Sequence, residues 1–310
     1  MESALCSDSI CIKKETNFME QVLQQAVNGL TLGSVYALIA LGYTMVYGII
    51  KLINFAHGDI YMLGAYIGFV VTTFWNFSFV PALVTAMCIC SLLGVCIEKI
   101  AYKPLRDSSR ITLLITAIGV SLFIEYTTMF FASARVRTFP DVLKDRTFFL
   151  GDIRITMQQM ALIGIAILLM LLLQYIVHKT RVGKAMRAVS IDRDAAQLMG
   201  IKVDKTISYT FAIGSALAGA GGVLVGVYYN SINPLMGILP GLKAFVAAVF
   251  GGIGIIPGAM IGGVSIGVIE TFVAGYGGSM YKDAVVFAIL IIVLIIKPSG
   301  LLGKATGEKV

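Results

Sequence analysis

The chain has 310 residues, of which 58% are hydrophobic and only 13% are charged, with a mean hydropathy of +0.89 and a net charge of +7. A soluble domain carries about 25% charged residues, so this much apolar surface could not be covered in water and the chain is predicted to lie in a membrane. The basic excess is then expected in cytoplasmic loops and against anionic lipid headgroups, and nucleic acid is excluded as a partner because no basic patch is interleaved with aromatic residues.

Residues 1–18 form a polar start to the chain. They lack the apolar core of a signal peptide, and their Cys6 and Cys11 have too few neighbouring ligands for a metal site, since the whole chain contains only two histidines. We therefore predict a disordered extension over residues 1–18, a transmembrane domain over 19–303 and a cytoplasmic tail over 304–310. No cofactor and no metal site is predicted.

Apolar runs occupy most of the remaining chain and predict an all-α polytopic membrane protein with eight or nine transmembrane helices. A helix needs about 20 residues to cross the hydrocarbon core. The runs lie at about 24–50, 58–75, 79–98, 111–131, 158–178, 206–229, 241–256, 257–275 and 280–297. Broken or short helices are expected at about 50–58 and 241–258. Such breaks are tolerated only where protein or a cavity covers the backbone, which favours a position beside a transport path.

Small residues recur at every fourth position in several of these runs. In lipid, where burying apolar surface gives no driving force between helices, small residues let backbones approach closely. The pattern therefore predicts tight helix packing at Gly29/Gly33/Ala37, Gly64/Gly68, Ala218/Gly222/Gly226 and Gly254/Gly258/Gly262.

Three polar side chains, Asn54, His57 and Asp59, interrupt the apolar sequence between the first two runs. His57 and Asp59 are two residues apart, whereas a metal pair on a helix prefers a spacing of three or four, so metal binding is not predicted. Two interpretations remain, a cytoplasmic turn that caps a helix and a helix break that lines the transport route. A helix that begins near Gly58 would direct free N–H groups and a positive dipole end at a carboxylate.

Glu125 and Glu270 lie in the middle of apolar runs. Ionised groups in the membrane are energetically unfavourable and usually face the bundle interior or water. Each acid is therefore either part of the substrate path or a structural group, held in an ion pair or protonated. Lys243 and Lys51 are candidate counter-ions.

The longest polar interruption covers residues 179–205, which contain seven basic residues against three acidic ones. Such an excess beside apolar spans marks the cytoplasmic side of a membrane. Counting crossings from this loop places residues 132–157 outside and residues 99–110 inside. The N-terminus is then external and the C-terminus cytoplasmic.

This loop also carries the signals of a short helix. Ser190 or Asp192 can cap its start, and Gly200 is placed to end it. The small apolar face consists of Ala195, Ala196, Leu198 and Met199. The segment is either a solvated loop with one helical turn or a docking helix for a cytoplasmic partner protein.

A family resemblance rests on four segments. The segment Asp194-Ala195-Ala196-Gln197-Leu198-Met199-Gly200 resembles the coupling loop of ABC importer permeases, with Asp in place of the usual Glu. Residues 28–38, 54–59 and 297–303 resemble the bacterial branched-chain amino acid permeases, specifically the smaller of the two permease subunits. The resemblance extends from about Met19 to Gly303.

The resemblance implies a multi-pass permease subunit of the inner membrane that is not itself an enzyme. The implied partners are a second permease subunit, two ATP-binding cassette subunits that hydrolyse ATP, and an extracytoplasmic binding protein that delivers leucine, isoleucine or valine. The alternatives are a urea or short-chain amide permease and an ion-coupled carrier. The implied ATPase-coupling residues are Asp194, Ala195, Ala196, Leu198, Met199 and Gly200, and the candidate path residues are Asn54, His57, Asp59, Glu125 and Glu270.

Overall fold

A computed structural model describes residues 2–51, 53–106, 108–143, 146–150 and 153–303, and this part of the chain is mainly helical. Its eleven α-helices are α1 Glu2–Ile50, α2 His57–Phe74, α3 Phe79–Ile97, α4 Arg110–Ala132, α5 Met157–Lys179, α6 Arg181–Ile191, α7 Arg193–Leu198, α8 Val203–Tyr229, α9 Ile238–Gly251, α10 Ile256–Phe272 and α11 Lys282–Ile296. The strands are short: β1 Arg137–Thr138, β2 Thr147–Leu150, β3 Ile153–Thr156 and β4 Ser231–Ile232.

The predicted all-α polytopic membrane fold is confirmed. Within the described residues, six helical segments are long and apolar enough to cross a membrane: Met19–Ile50, Phe79–Leu105, Ile111–Ala132, Met157–Lys179, Val203–Tyr229 and Ile256–Gly277. Helices α2, α9 and α11 are shorter, with 18, 14 and 15 residues. The eight or nine predicted crossings therefore correspond to six full-length helices and three short ones.

Both predicted breaks are present and have local causes. Helix α1 ends where Lys51 adopts a left-handed conformation with φ of 59°, and α2 begins six residues later. The second break follows α9, where Gly252 and Gly254 have φ of 113° and 91°. Glycine reaches these angles without steric penalty. Pro257 in the first turn of α10 then suits a helix start.

The N-terminal segment departs from the prediction. Residues 2–18 continue α1 as helix instead of forming the predicted disordered extension. The physical reason is that this segment contains neither glycine nor proline, and extending an existing helix is much easier than nucleating a new one. The predicted C-terminal tail, 304–310, lies outside the described residues.

Small residues bring the central helices together, as the fourfold pattern predicts. Gly33 of α1 lies against the backbone of α10, so that a Cβ at this position would come within 2.7 Å of the Val264 Cα atom. Gly64 of α2 makes an equally close approach to Gly219 of α8. The most apolar stretch of α1 is 89% buried, whereas that of α4 is only 22% buried. Helix α4 is thus peripheral in the isolated chain.

At one end of the bundle, ion pairs join two polar loops. Arg106, after α3, lies 2.7 Å from Asp204 in the first turn of α8 and 2.6 Å from the buried Glu98. Lys103 also pairs with Asp204, at 2.7 Å. The loops around 99–110 and 179–205 therefore share one end of the molecule, which agrees with their predicted placement on one side of the membrane.

The segment predicted to be external, 132–157, lies at the opposite end of the bundle. Strand β1 pairs antiparallel with β4, and the Asn230 side chain donates to Asp141 at 3.2 Å. The β2–β3 hairpin is attached to the start of the first span, because Arg154 donates its backbone N–H to the Gln24 side chain at 2.9 Å. The described residues of this segment thus lie beside the beginning of that span and the end of α8.

Candidate functional site

The two short helices α2 and α9 begin at the same place inside the bundle. Gly58, in the first turn of α2, contacts Gly237 and Gly241 at the start of α9. The His57 ring lies against Gly42 in the interior of α1, so α2 begins part of the way along α1. Two helix N-termini, each with the positive end of its dipole, therefore meet within the protein.

A cavity of about 280 Å³ lies beside this meeting point. Helices α1, α2, α4 and α9 and the loop before α2 form its wall. Its polar lining comes from Tyr43, Asp59, Ser121 and Glu125, and its apolar lining from Phe55, Ile118, Leu122, Ile238 and Leu242. Glycines at the two helix N-termini complete the wall, so backbone as well as side chains face the space.

Two carboxyl groups meet in this cavity. Asp59 and Glu125 are 3% and 7% exposed, and the Ser121 hydroxyl donates to Asp59 at 2.5 Å. The two carboxyl groups also interact with each other. None of the salt bridges among the described residues involves either acid. Two acids thus lie together in a poorly solvated position, and the described part of the chain offers no basic side chain to balance them.

The other two polar residues of the first break do not line the cavity. Asn54 accepts a hydrogen bond from the Tyr102 hydroxyl at 2.7 Å, and the His57 ring packs edge-on against Tyr43 with 4.8 Å between centroids. Among the described residues, the Asn54 Nδ2 and His57 Nε2 atoms are buried without a hydrogen-bond partner. No side chain in the described part of the chain caps α2. The segment is a helix break, and Asp59 is the polar side chain that it contributes to the cavity, beside Phe55 and Gly58.

Glu270 belongs to a different cluster, an ion-pair network between α9, α10 and α11. Lys243, itself 4% exposed, lies 2.6 Å from Glu270 and 2.5 Å from Asp283. The Tyr36 hydroxyl donates to Glu270 at 2.8 Å. Of the two predicted counter-ions, Lys243 is the one that pairs with Glu270. Lys51, the other candidate, lies at the end of α1. Of the two interpretations given for Glu270, a structural ion pair and a part of the substrate path, these contacts favour the ion pair.

Several of these residues escape sequence reasoning. Asp283 lies near the start of α11, where an acid needs no special explanation, and nothing in its local sequence points to Lys243. Ser121 is four residues before Glu125 and therefore on the same face of α4, a signal that could have found it. Tyr43 lies in an apolar run and resembles any core aromatic residue.

The short helix predicted in the polar loop is α7. Asp192 caps it, because the Asp192 side chain accepts from the backbone N–H groups of Asp194 at 2.9 Å and Ala195 at 3.0 Å. Gly200, with φ of 82°, follows its end. Ser190, the alternative cap, lies in the preceding helix α6 and donates to the Arg187 carbonyl.

The exposed face of α7 differs from the predicted one. Leu198 and Met199 are 88% and 83% exposed, but Ala196 is only 4% exposed because it packs into its own chain. Ala196 therefore cannot contribute its side chain to a partner surface as predicted, while Asp194, Ala195 and Gly200 remain exposed. Within α7 only Ala196 is buried, which leaves the larger apolar side chains of Leu198 and Met199 outside.

The Arg193 side chain connects α7 to the first break. Arg193 donates from its Nη2 atom to the carbonyl oxygen of Ile49 at 3.1 Å. Ile49 lies one residue before the end of α1, and the break that leads into α2 and Asp59 follows directly. A basic side chain at a helix C-terminus also complements the helix dipole.

Comparison with known proteins gives consistent matches over almost the whole chain. The family model described as the branched-chain amino acid transport system permease component matches residues 25–294. The high-affinity branched-chain amino acid transport system permease protein BraD of Pseudomonas aeruginosa is 44% identical over 300 residues, which cover 93% of this chain and 98% of that protein. The corresponding permease LivH of Escherichia coli is 44% identical over 302 residues, covering 93% of this chain and 97% of LivH.

Weaker similarity is found to two other transport proteins. The ribose import permease RbsC of Haemophilus influenzae is 29% identical over 128 residues, which cover 39% of this chain and 40% of RbsC. Among solved structures, PsaBC of Streptococcus pneumoniae in complex with Fab aligns with a TM-score of 0.47 at 13% identity, covering 88% of this chain and 91% of that one.

Proposed function

The chain belongs to the branched-chain amino acid permease family of ABC transporters, and from this we propose that it is a permease subunit of an ATP-driven importer of leucine, isoleucine and valine in the cytoplasmic membrane. The observation that carries the proposal is the 44% identity, over 93% of the chain, to permeases named for high-affinity transport of these amino acids. In such an importer the chain provides part of the transmembrane path, and ATP is hydrolysed on partner subunits.

We assign the exposed face of α7 to an ATP-binding cassette subunit. Leu198 and Met199 project from a helix that belongs to the polar loop and not to any of the membrane-spanning segments. Two neighbouring apolar side chains in such a position gain stability when a partner covers them. The basic excess of the loop favours the cytoplasmic side, where the ATPase subunits of an importer lie.

The sparsely packed helix α4 is assigned to the interface with the second permease subunit. Its Phe123, Phe130 and Phe131 side chains are 71%, 82% and 81% exposed. The same helix forms one wall of the cavity. A second subunit seated on α4 would close the cavity between the two permeases. The β2–β3 hairpin, at the opposite end from α7, suits the binding protein that delivers the substrate.

The contacts of Arg193 provide a mechanical route from the ATPase to the cavity. Closure of the ATPase subunits would push α7, and Arg193 would transmit the displacement to the C-terminal end of α1 through the Ile49 carbonyl. The break after Lys51 allows α2 to tilt as a separate rigid element. The first turn of α2 carries Asp59, so movement of α7 would alter the wall of the cavity.

We expect Arg193→Ala to uncouple ATP hydrolysis from transport. A hydrogen bond to a charged group contributes about 1.5–3 kcal/mol, so its loss should lower leucine uptake per ATP hydrolysed by about tenfold or more. The ATPase subunits should still bind, because Leu198 and Met199 remain. Lys202→Ala, which removes a cation from the same loop, is the control and should leave the ratio unchanged. If Arg193→Ala still co-purifies with the ATPase subunits and its leucine uptake per ATP hydrolysed is unchanged, the proposed route is contradicted.

Reconstitution tests the function itself. The chain is co-purified with the second permease, the ATPase subunits and the binding protein, and leucine uptake into proteoliposomes is measured. Uptake should require ATP and should persist when ionophores collapse the ion gradients, which separates the importer from an ion-coupled carrier. Labelled urea and acetamide should not be accumulated. Leucine uptake that follows the ion gradient, or accumulation of the amides alone, would contradict the proposal.

A further inference from the structure

We propose that the cavity between α2, α4 and α9 is the site where the amino acid binds on its way through the membrane. Asp59 and Glu125 receive its ammonium group, and Ile118, Leu122 and Leu242 surround its aliphatic side chain. The inference rests on the proposed function and specifies the substrate site that this function requires.

The strongest support is that the other buried acids among the described residues, Glu98 and Glu270, each have a basic partner. Glu98 and Glu270 are 1% and 3% exposed, and each has a basic partner at 2.6 Å, Arg106 for the first and Lys243 for the second. The described part of the chain supplies no such partner to Asp59 or Glu125. Two adjacent acids can share one proton, which still leaves one carboxylate charge without a basic partner, and an unpaired buried charge is strongly unfavourable. A cationic group from outside the chain balances this charge.

The apolar lining selects among cations. Ile118, Ser121, Leu122 and Glu125 follow one another at helical spacing and therefore share one face of α4. This face presents two aliphatic side chains next to the acid, and Leu242 of α9 adds a third. A metal ion would gain nothing from such surroundings, and urea or a short-chain amide has neither the charge nor the branched side chain. An aliphatic amino acid has both.

The N-terminal turns of the two short helices suit the other end of a zwitterion. The missing side chains of Gly58, Gly237 and Gly241 let the two helix starts pack against each other. All three glycines line the cavity, so two positive dipole ends meet at its wall. Helix N-termini favour carboxylate groups, and discontinuous helices place them at substrate sites in other transporters. The α-carboxylate is accordingly directed at these turns and the α-ammonium at the acids.

The size and position of the cavity agree with this use. Its volume of about 280 Å³ lies just below the range of about 300–1,000 Å³ that drug-sized ligands occupy, which fits a smaller molecule. Ile118 and Leu122 are 42% and 46% exposed in the isolated chain, so the cavity opens along the outer side of α4. The second permease subunit assigned to α4 would cover this opening.

Isosteric substitutions test the acids in the complete transporter. Asp59→Asn and Glu125→Gln keep the shape of the cavity and remove its charge, so leucine uptake should fall at least tenfold for each variant. Assembly and hydrolysis stimulated by the binding protein should remain, because neither residue lies near α7. Glu125→Asp keeps the charge and should recover part of the uptake. Thr85→Val, on α3 instead of α4 and outside the cavity, is the control and should transport normally, because the Thr85 hydroxyl donates to the Pro81 carbonyl of its own helix.

A photoreactive leucine carrying a diazirine gives an independent readout. In the wild-type transporter during turnover it should label residues 118–125 or the first turns of α9, excess leucine should prevent the labelling, and urea should not. Glu125→Gln should lose the label. Labelling confined to other segments, or normal uptake by both Asp59→Asn and Glu125→Gln beside an active wild type, would overturn the site. A wild type that imports no leucine would instead contradict the proposed function.

Discussion

Replacing Leu198 and Met199 together by glutamate is expected to abolish leucine uptake without preventing the chain from folding. Both side chains are more than four-fifths exposed, so the isolated permease loses no internal contact. If they are covered by an ATPase subunit, the double variant removes two apolar anchors and buries two unpaired charges. Full burial of a leucine or methionine side chain contributes about 1.5–3 kcal/mol, and both contributions are lost. The ATPase subunits should therefore fail to co-purify.

The control for this experiment separates lost contact from added charge. Lys202→Glu lowers the net charge of the same loop, as the double variant does, but it removes no apolar side chain. The ATPase subunits should therefore remain bound. Ala196→Glu is a poor test, because Ala196 is buried in its own chain and the substitution would disturb α7 itself. Normal co-purification and normal stimulated hydrolysis in the double variant would mean that α7 is a solvated connector.

Replacing Lys243 by methionine is expected to destabilise the permease itself. The substitution leaves Glu270 buried and removes the nearest cation from Asp283. Lys282, at 3.8 Å from Glu270, is half-exposed and too distant to replace a contact of 2.6 Å. Removing one partner of a buried ion pair lowers the free energy of unfolding by about 3–5 kcal/mol. Thermal unfolding of the detergent-solubilised protein should shift to lower temperature and the yield of folded protein should fall.

A second substitution distinguishes charge from packing in this network. Adding Glu270→Gln to Lys243→Met removes the acid that was left unpaired, so a substantial part of the lost stability should return. Lys243→Arg, which keeps the charge, should be milder than Lys243→Met. If the double variant is as unstable as Lys243→Met alone, the network contributes through side-chain packing, and our assignment of Glu270 to a structural ion pair is wrong.

What the sequence alone determines about this protein follows from local composition. The apolar content and run lengths require a helical membrane protein, because an unpaired backbone is not tolerated in lipid. The polar residues that begin at Asn54 lie beside the first break, and the glycines at 252 and 254 lie in the second, so both breaks could be placed approximately. Asp192 and Gly200 likewise bound α7 through contacts within a few residues. The family resemblance extends the same local information to function.

Only the tertiary structure decides which buried acids are balanced. Glu125 and Glu270 look alike in sequence, since each is one acid in an apolar run. In the structure Glu270 meets Lys243 and Tyr36, and Glu125 meets Asp59, 66 residues earlier in the chain. The physical reason is that lipid and a protein core are similarly apolar, so a membrane helix carries little amphipathic pattern to show which neighbour each side chain faces. The direction in which Ala196 points was hidden for another reason, since α7 has only six residues and is too short to show a periodic pattern.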